Sequence, residues 1–242
     1  MTRIYQPVNL DVQSVLRLDE KASHHLARVL RANIGDQLVL FNGQGGEYAA
    51  EITHIDKKAV TVNITAFSQR EVESPINIHL AQGMARGEKM DFIVQKAVEL
   101  GVTHIAPLLT ERCNVRLDGE REEKRLQHWQ AVAISACEQS GRNRLTELSA
   151  PATLTDWVTQ VKADYKFVLS PHVENRLPEV VLPPHAVIVL LIGPEGGLSD
   201  QEVSLARENG FLPLNLGPRV LRTETATIAA IAALQLRFGD FG

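Results

Sequence analysis

From Ile76 onward, short apolar runs alternate with longer segments whose apolar residues recur every three or four positions. That rhythm predicts parallel strands joined by crossover helices. INIHLAQG (Ile76 to Gly83), VTHIAPLLT (Val102 to Thr110), YKFVLSP (Tyr165 to Pro171), AVIVLLIG (Ala186 to Gly193) and FLPLNLG (Phe211 to Gly217) read as strands. MDFIVQKAVELG (Met90 to Gly101) reads as a helix stopped by its glycine, and a longer helix is expected from Asp118 through Trp129 to Gln139. Ser199 with Glu202 forms a capping box, opening a helix expected to end at Gly210. The last helix, Glu224 to Phe238, is apolar nearly all round, with Ala226, Ala229, Ala230, Ala232 and Ala233 among Ile228, Ile231 and Leu234. Such a helix is expected to be buried and closely packed, in the core and at a subunit interface.

Upstream the period shortens to two. Ile34 to Ile52 reads as a strand, a glycine-rich turn and a second strand, and AVTVNI (Ala59 to Ile64) as a third. Between Glu20 and Arg31 the apolar residues Leu26, Val29 and Leu30 are helically spaced, leaving His24, His25, Arg28 and Arg31 on or beside the polar side. That side is either a solvated face or an RNA contact. Ser68 to Pro75 is polar and reads as a linker. The expected organisation is a small β-barrel domain over 1–72 and an α/β domain over 73–242.

Composition narrows the function classes. The chain of 242 residues is 44% hydrophobic with a net charge of -4, and no third of it is markedly basic. A polyanion would therefore have to be met by a local cluster of cations. No apolar run reaches the roughly 18 residues of a spanning helix, and Met1 to Asp11 lacks a signal-peptide layout. A cytoplasmic protein with no membrane partner is expected. The two cysteines, Cys113 and Cys137, form no CxxC, and the eight histidines include no HExxH. No metal is expected.

The most informative segments are LLIGPEGGLSD (Leu190 to Asp200) and LNLGPRVLRTETA (Leu214 to Ala226). Each is an apolar run cut short by Gly-Pro before a helix opens, which places two turns at one sheet edge, where open α/β sheets bind ligands. Glycine leaves backbone amides uncovered for a ligand. The first loop lacks the lysine of a P-loop, and no GxGxxG stands in a first βα turn. A cofactor other than ATP or NAD is favoured.

GPEGGLS and LGPRVLRTETA, taken with Gln82 to Val102, TERC (Thr110 to Cys113) and EQSGR (Glu138 to Arg142), resemble the small-subunit ribosomal RNA uridine-N3 methyltransferases of the SPOUT superfamily. The likeness runs from Arg3 to about Asp240, with Cys113 where the family pattern suggests serine. It implies an α/β fold, a trefoil-knotted parallel sheet with helices on both faces, preceded by a PUA-like RNA-binding barrel. It also implies a homodimer, S-adenosylmethionine as cofactor and 16S ribosomal RNA, within an assembled small subunit, as partner. Carried onto this chain, the cofactor residues are Leu169, Gly193, Pro194, Glu195, Gly196, Leu216, Gly217, Leu221, Arg222, Thr223, Thr225 and Ala226. The RNA-binding residues are Arg3, His24, Arg28, Arg31, Arg86, Arg112 and Arg142.

Methylation at N3 needs an aligned donor and loss of the N3 proton, so a base or a cation that stabilises the uridine anion is required. Arg219 and Arg222 suit the cationic role. Glu195 or Glu224 could be the base, or each could be a helix N-terminal acid. Alternatives are methylation of another RNA atom such as a ribose 2′-oxygen, a noncatalytic RNA-binding protein, and a hydrolase using the two glutamates.

Overall fold

The structure is a computed structural model that describes residues 1–56, 59–113, 119–170 and 181–242. Pro171 and Asp118, at the ends of a predicted strand and helix, lie outside those residues. The chain forms two compact units, 1–73 with 137–145, and 74–136 with 146–242.

The first unit holds β1 (Thr2–Tyr5), β2 (Val15–Arg17), β3 (Gln37–Phe41), β4 (Glu47–Ile55) and β5 (Val60–Ser68), in the order β1-β3-β4-β5-β2. Only β1 and β3 pair in parallel. Alternate residues point inward, so Leu38, Leu40, Ala50, Ile52, Val60, Val62 and Ile64 meet in one core. The buried Gln6 side chain links the chain just beyond the two edge strands, with Nε2 donating to Asp19 Oδ2 (2.8 Å) and Oε1 accepting from the Asp19 amide (3.1 Å).

The single helix expected over Glu20–Arg31 is broken. Asp19 caps α1 (Glu20–His24), and a π-helical turn, His25–Val29, follows. The wider turn keeps Leu26 in the core but leaves Val29 and Leu30 exposed, and Arg31 has left the helix at φ 53°. The segment 137–145, read from sequence as part of the second domain, groups with the first unit. Asn143 donates to the Arg70 carbonyl (2.6 Å), Arg142 pairs with Glu73, and Arg144 bridges to Gly43 and Gln44.

The second unit comprises β6 (Asn77–Gly83), α2 (Glu88–Glu99), β7 (Val102–Leu109), most of α3 (Gly119–Ser140), β8 (Glu147–Leu148), β9 (Ala152–Thr153), α4 (Leu154–Gln160), β10 (Tyr165–Leu169), β11 (Val187–Ile192), α5 (Asp200–Glu208), β12 (Leu212–Leu214) and α6 (Thr223–Phe238). Its sheet runs β12-β10-β11-β6-β7-β8, with β9 also on β7 and every pairing parallel. Val168, Val189 and Leu191 point to one face and pack with Leu154 and Val158 of α4 and Ala206 of α5. Residues of opposite phase, such as Ile188 and Leu190, point to the other face, where α2 and α6 pack against each other and against the sheet.

The last helix is buried on one side rather than all round. Ala226, Thr227, Ala230, Ile231, Leu234 and Gln235 are buried, whereas Ile228, Ala229, Ala232 and Ala233 are half-buried and Leu236 is 66% exposed. The sheet and α2 cover only the inner stripe.

Candidate functional site

Strands β10, β11 and β12 end side by side, and Leu169 and Ser170 at the end of β10, with the turns leaving β11 and β12, line a cavity of about 660 Å³. This is the carboxyl edge of a parallel sheet, where β11 has inserted between β10 and β6 and the strand order reverses. Of the sequence-predicted residues, Leu169, Gly193, Pro194, Glu195, Gly196, Leu216, Leu221, Thr223 and Ala226 line the cavity, together with Arg112 and Arg219. Gly217, Arg222, Glu224 and Thr225 do not. Asp200, Val203, Ser204 and Arg207, one stripe of α5, complete a wall that sequence reading did not anticipate.

The first corner is fixed from several directions. A Cβ on Gly193 would lie 2.8 Å from both Gly197 C and Leu198 N, and one on Gly83 would lie 2.6 Å from Pro194 N, so backbone passes where side chains cannot. Gly197, at φ 69°, donates its amide to the Pro194 carbonyl (2.9 Å). The predicted capping box is formed, and the second Glu202 carboxylate contact takes the Glu111 amide at 2.8 Å. Beside it, Arg112 Nη1 donates to the carbonyls of Gly196 (3.2 Å) and Leu198 (3.3 Å).

Glu195 faces the β6–α2 connection. It accepts the Arg86 amide (3.1 Å) and pairs with Lys89 Nζ (3.3 Å). Burial pushes its carboxyl up, but hydrogen bonds from its own amide, from that of Arg86 and from Lys89 outweigh this and hold it below the usual range.

Gln82 and Thr227 are residues that build the site's frame and that sequence reasoning missed. Gln82, fully buried at the end of β6, donates through Nε2 to Thr223 Oγ1 (3.0 Å) and to the carbonyls of Gly83 (2.9 Å) and Gly193 (3.3 Å). Its Oε1 accepts from Thr227 Oγ1 (2.7 Å), while Thr223 Oγ1 donates to the Gly193 carbonyl (2.7 Å). The first corner is thereby stitched to the start of α6. A glutamine closing an apolar strand and a threonine inside an alanine-rich helix were the available signals, since buried polar groups require partners.

The second corner is looser. Ser170 donates its amide to the Leu214 carbonyl (3.0 Å), and Gly217, at φ 111°, donates to Asn215 Oδ1 (2.7 Å). Beyond it Pro218, Arg219 and Val220 are exposed. Arg222 is an exposed N-cap without a side-chain cap bond, and in the next turn Glu224 Oε2 is buried with no hydrogen-bond partner among the described residues.

The RNA candidates divide in two. Arg142 spends Nε and Nη2 on Glu73 (3.1 and 2.6 Å) with its side chain 4% exposed, and Arg3 is held by Glu47 (2.6 Å), Asn143 and the face of Phe41. Both are internal struts of the first unit, which corrects their reading as surface contacts. Arg28 and His24 instead line a groove with Arg17, Glu20 and Asp56. Arg31 and Arg86 are exposed. No cluster that could hold a metal occurs among the described residues, and none of their helices is long and apolar enough to cross a membrane.

Comparison with known proteins agrees with this layout. The RNA methyltransferase domain family matches residues 72–235, and the RNA methyltransferase PUA domain family matches 18–65. Ribosomal RNA small subunit methyltransferase E of Buchnera aphidicola (Schizaphis graminum) is 39% identical over 98% of this chain and 97% of its own length. Its counterpart from Bacillus subtilis is 30% identical over 87% and 86%. Among solved structures, a Neisseria gonorrhoeae ribosomal RNA small subunit methyltransferase E bound to S-adenosyl methionine superposes with a TM-score of 0.92 at 39% identity, covering 100% of both chains. A Legionella pneumophila protein solved with the cofactor SAM superposes with a TM-score of 0.95 at 45% identity, covering 99% of both. A parallel sheet whose glycine-proline corners share one cavity, carried behind a PUA-like unit and matched over its length, places this chain in the ribosomal RNA small subunit methyltransferase E family.

Proposed function

We propose that this protein transfers a methyl group from S-adenosylmethionine to N3 of a uridine in 16S ribosomal RNA. The carrying observation is that residues of both glycine-proline turns line one cavity, which has an apolar wall of Leu169, Ile192, Leu214, Leu216 and Leu221 and, at Gly193 and Gly196, main chain with no side chain over it. A purine needs that combination of apolar faces and main-chain partners at its edge. When bound, S-adenosylmethionine supplies a methyl group on a sulfonium, ready for in-line displacement.

The chain's own work is to align the acceptor and to stabilise the uridine anion once its N3 proton has left. Glu195 already serves as an ionised anchor for Lys89 and the Arg86 amide, so it is a poor proton acceptor. Glu224 lies outside the cavity lining, at the start of α6, where the helix dipole favours an acid. Arg219, exposed and in the cavity lining, is the cation we assign to stabilising charge on the uridine oxygens, with Arg222, outside the lining, as the second candidate.

His24, Arg28 and Arg31 of the first unit are read as RNA contacts, with Arg86 and Arg112 in the second. The half-exposed stripe of α6, ending in Leu236, supports a homodimer, which sedimentation at micromolar concentration would test. The trefoil knot belongs to the same reading, and the Gln82 network is the polar tie expected where the last segment passes the first corner.

The test is mass spectrometry of 16S RNA nucleosides from cells lacking the protein, with purified protein added back to naked RNA and to assembled small subunits. N3-methyluridine should vanish and be restored. Its persistence in the deletion would reject the proposal, and loss of a ribose methyl instead would transfer the assignment to a 2′-oxygen.

A further inference from the structure

The second unit carries another group of polar side chains, toward the amino ends of its strands and away from the cavity. His79 of β6 and His104 of β7 are register partners and turn to the same face, with their rings 5.1 Å apart at 32° and both half-buried. His104 Nε2 lies 2.6 Å from Ser149 Oγ, and its Nδ1 lies 3.8 Å from Oε2 of Glu147, a side chain 79% exposed. Glu147 opens β8 and Ser149 follows it, at the edge of the sheet, and β8 meets β7 at two register positions only, His104 with Glu147 and Ile105 with Leu148. Beyond the ladder, the Ser149 amide donates to the Ile105 carbonyl (3.0 Å) and Thr146 Oγ1 to the Val102 carbonyl (2.7 Å). So short a strand has few ties to lose, and a side-chain bond at its end carries a large share of its local stability. The chain reaches β8 directly from 137–145, which groups with the first unit.

Two half-buried imidazoles this close accept one proton far more readily than two. Burial lowers both below the ordinary histidine value, the charge of His104 lowers His79 further, and Glu147 raises each. The other charged groups of this row and of the helix over it are engaged elsewhere. Lys166, in register with His79 through Val189, donates to the Asn209 carbonyl (3.3 Å) and lies over Phe211, and Asp156, the one ionisable residue of α4, is exposed and bonded to Thr153. We propose that His79 and His104 form a proton-operated latch on the edge of the sheet. With at most one ring charged, His104 holds Ser149 and β8 stays closed. With both charged, His104 turns outward to Glu147, releases Ser149 and loosens the strand. The closed form is complete above the ordinary histidine value of about 6.5 and loses ground as pH falls below it, because the opened segment takes up protons more readily. The latch depends on neither the cofactor nor the RNA reading.

Hydrogen exchange of the full chain, read by mass spectrometry as protection relative to the free-peptide rate, tests this. Protection over 146–149 should fall about tenfold between about pH 7.5 and about pH 5.5, the factor that one unit of displaced pKa supplies, while β6 and β11 keep theirs. Ser149→Ala should lower protection already at neutral pH and remove most of its pH dependence. His79→Gln, which leaves His104 as the only charge of the pair, should keep the neutral protection and abolish the fall. Proton NMR of the two rings in the unmodified protein needs no variant, and their titrations should be coupled, in two separate steps. Unchanged protection in acid, or a fall that survives in His79→Gln, would overturn the latch, as would two independent titrations at the ordinary value. Protection lost throughout the sheet at the same pH would overturn it as well, since the effect would then be global unfolding.

Discussion

The two glycine-proline corners follow the strands on either side of β10 but are built by opposite means. The first is held by backbone contacts too close for any Cβ, a capping box, an arginine clasp and the Gln82 network. At the second, a Cβ on Gly217 would meet nothing within 4 Å, and the three residues after it are exposed. A methyl donor aligned for in-line attack needs a rigid seat, whereas a flank that admits a nucleotide needs room. On the function proposed above, the closely packed first corner would seat the donor, and the open flank of the second, at Pro218 to Val220, would admit the acceptor.

The sharpest way to break the comparison is the same substitution at both corners. Gly193→Ala forces a Cβ onto backbone and should cost about 3 kcal/mol of stability, with cofactor binding lost in calorimetry. Gln82→Leu removes the polar hub while keeping volume, and chemical denaturation should show a loss of about 2 kcal/mol, accompanied by weaker cofactor binding. Gly217→Ala meets no neighbour and is opposed only by its backbone angle, so it should cost about 1 kcal/mol and retain binding. A loss as large as that of Gly193→Ala would erase the distinction drawn here.

The smallest effect is expected at Glu195. Its folded carboxyl is held below the ordinary value, so its contribution to stability is present above the unfolded value and is lost as pH falls through the folded one. Glu195→Gln should change stability at neutral pH by less than about 1 kcal/mol and flatten the loss of stability as pH falls below the ordinary carboxylate range. Methyl transfer should persist without a shifted alkaline limb. Abolished turnover in a folded variant that still binds cofactor would restore Glu195 as the base.

Legibility followed the range of the interactions. Strands β6, β7, β10 and β11, helices α2, α3 and α5, and the Ser199–Glu202 box were readable because periodicity and capping act within a few residues. The two-residue strands β8 and β9 carry too few positions to show a period. The helix over Glu20–Arg31 failed at a π-turn, where one extra residue per turn shifted Val29 and Leu30 off the apolar stripe. Arg3 and Arg142 were misread because an arginine bound to glutamate and one waiting for phosphate look the same in a sequence.

By itself the sequence determined the order of the longer strands and helices of the second unit, the places where those strands stop, and, through the pairing of GPEGG with LGPRVLRTETA, the family to which the chain belongs. Tertiary structure alone decided which arginines are spent inside, that Gln82 reaches Gly193 and Thr227 across more than a hundred residues, and which stripe of α6 stays uncovered. The reason is physical. Local backbone preference is encoded residue by residue, but whether a polar side chain meets a partner or a ligand depends on what folding places opposite it.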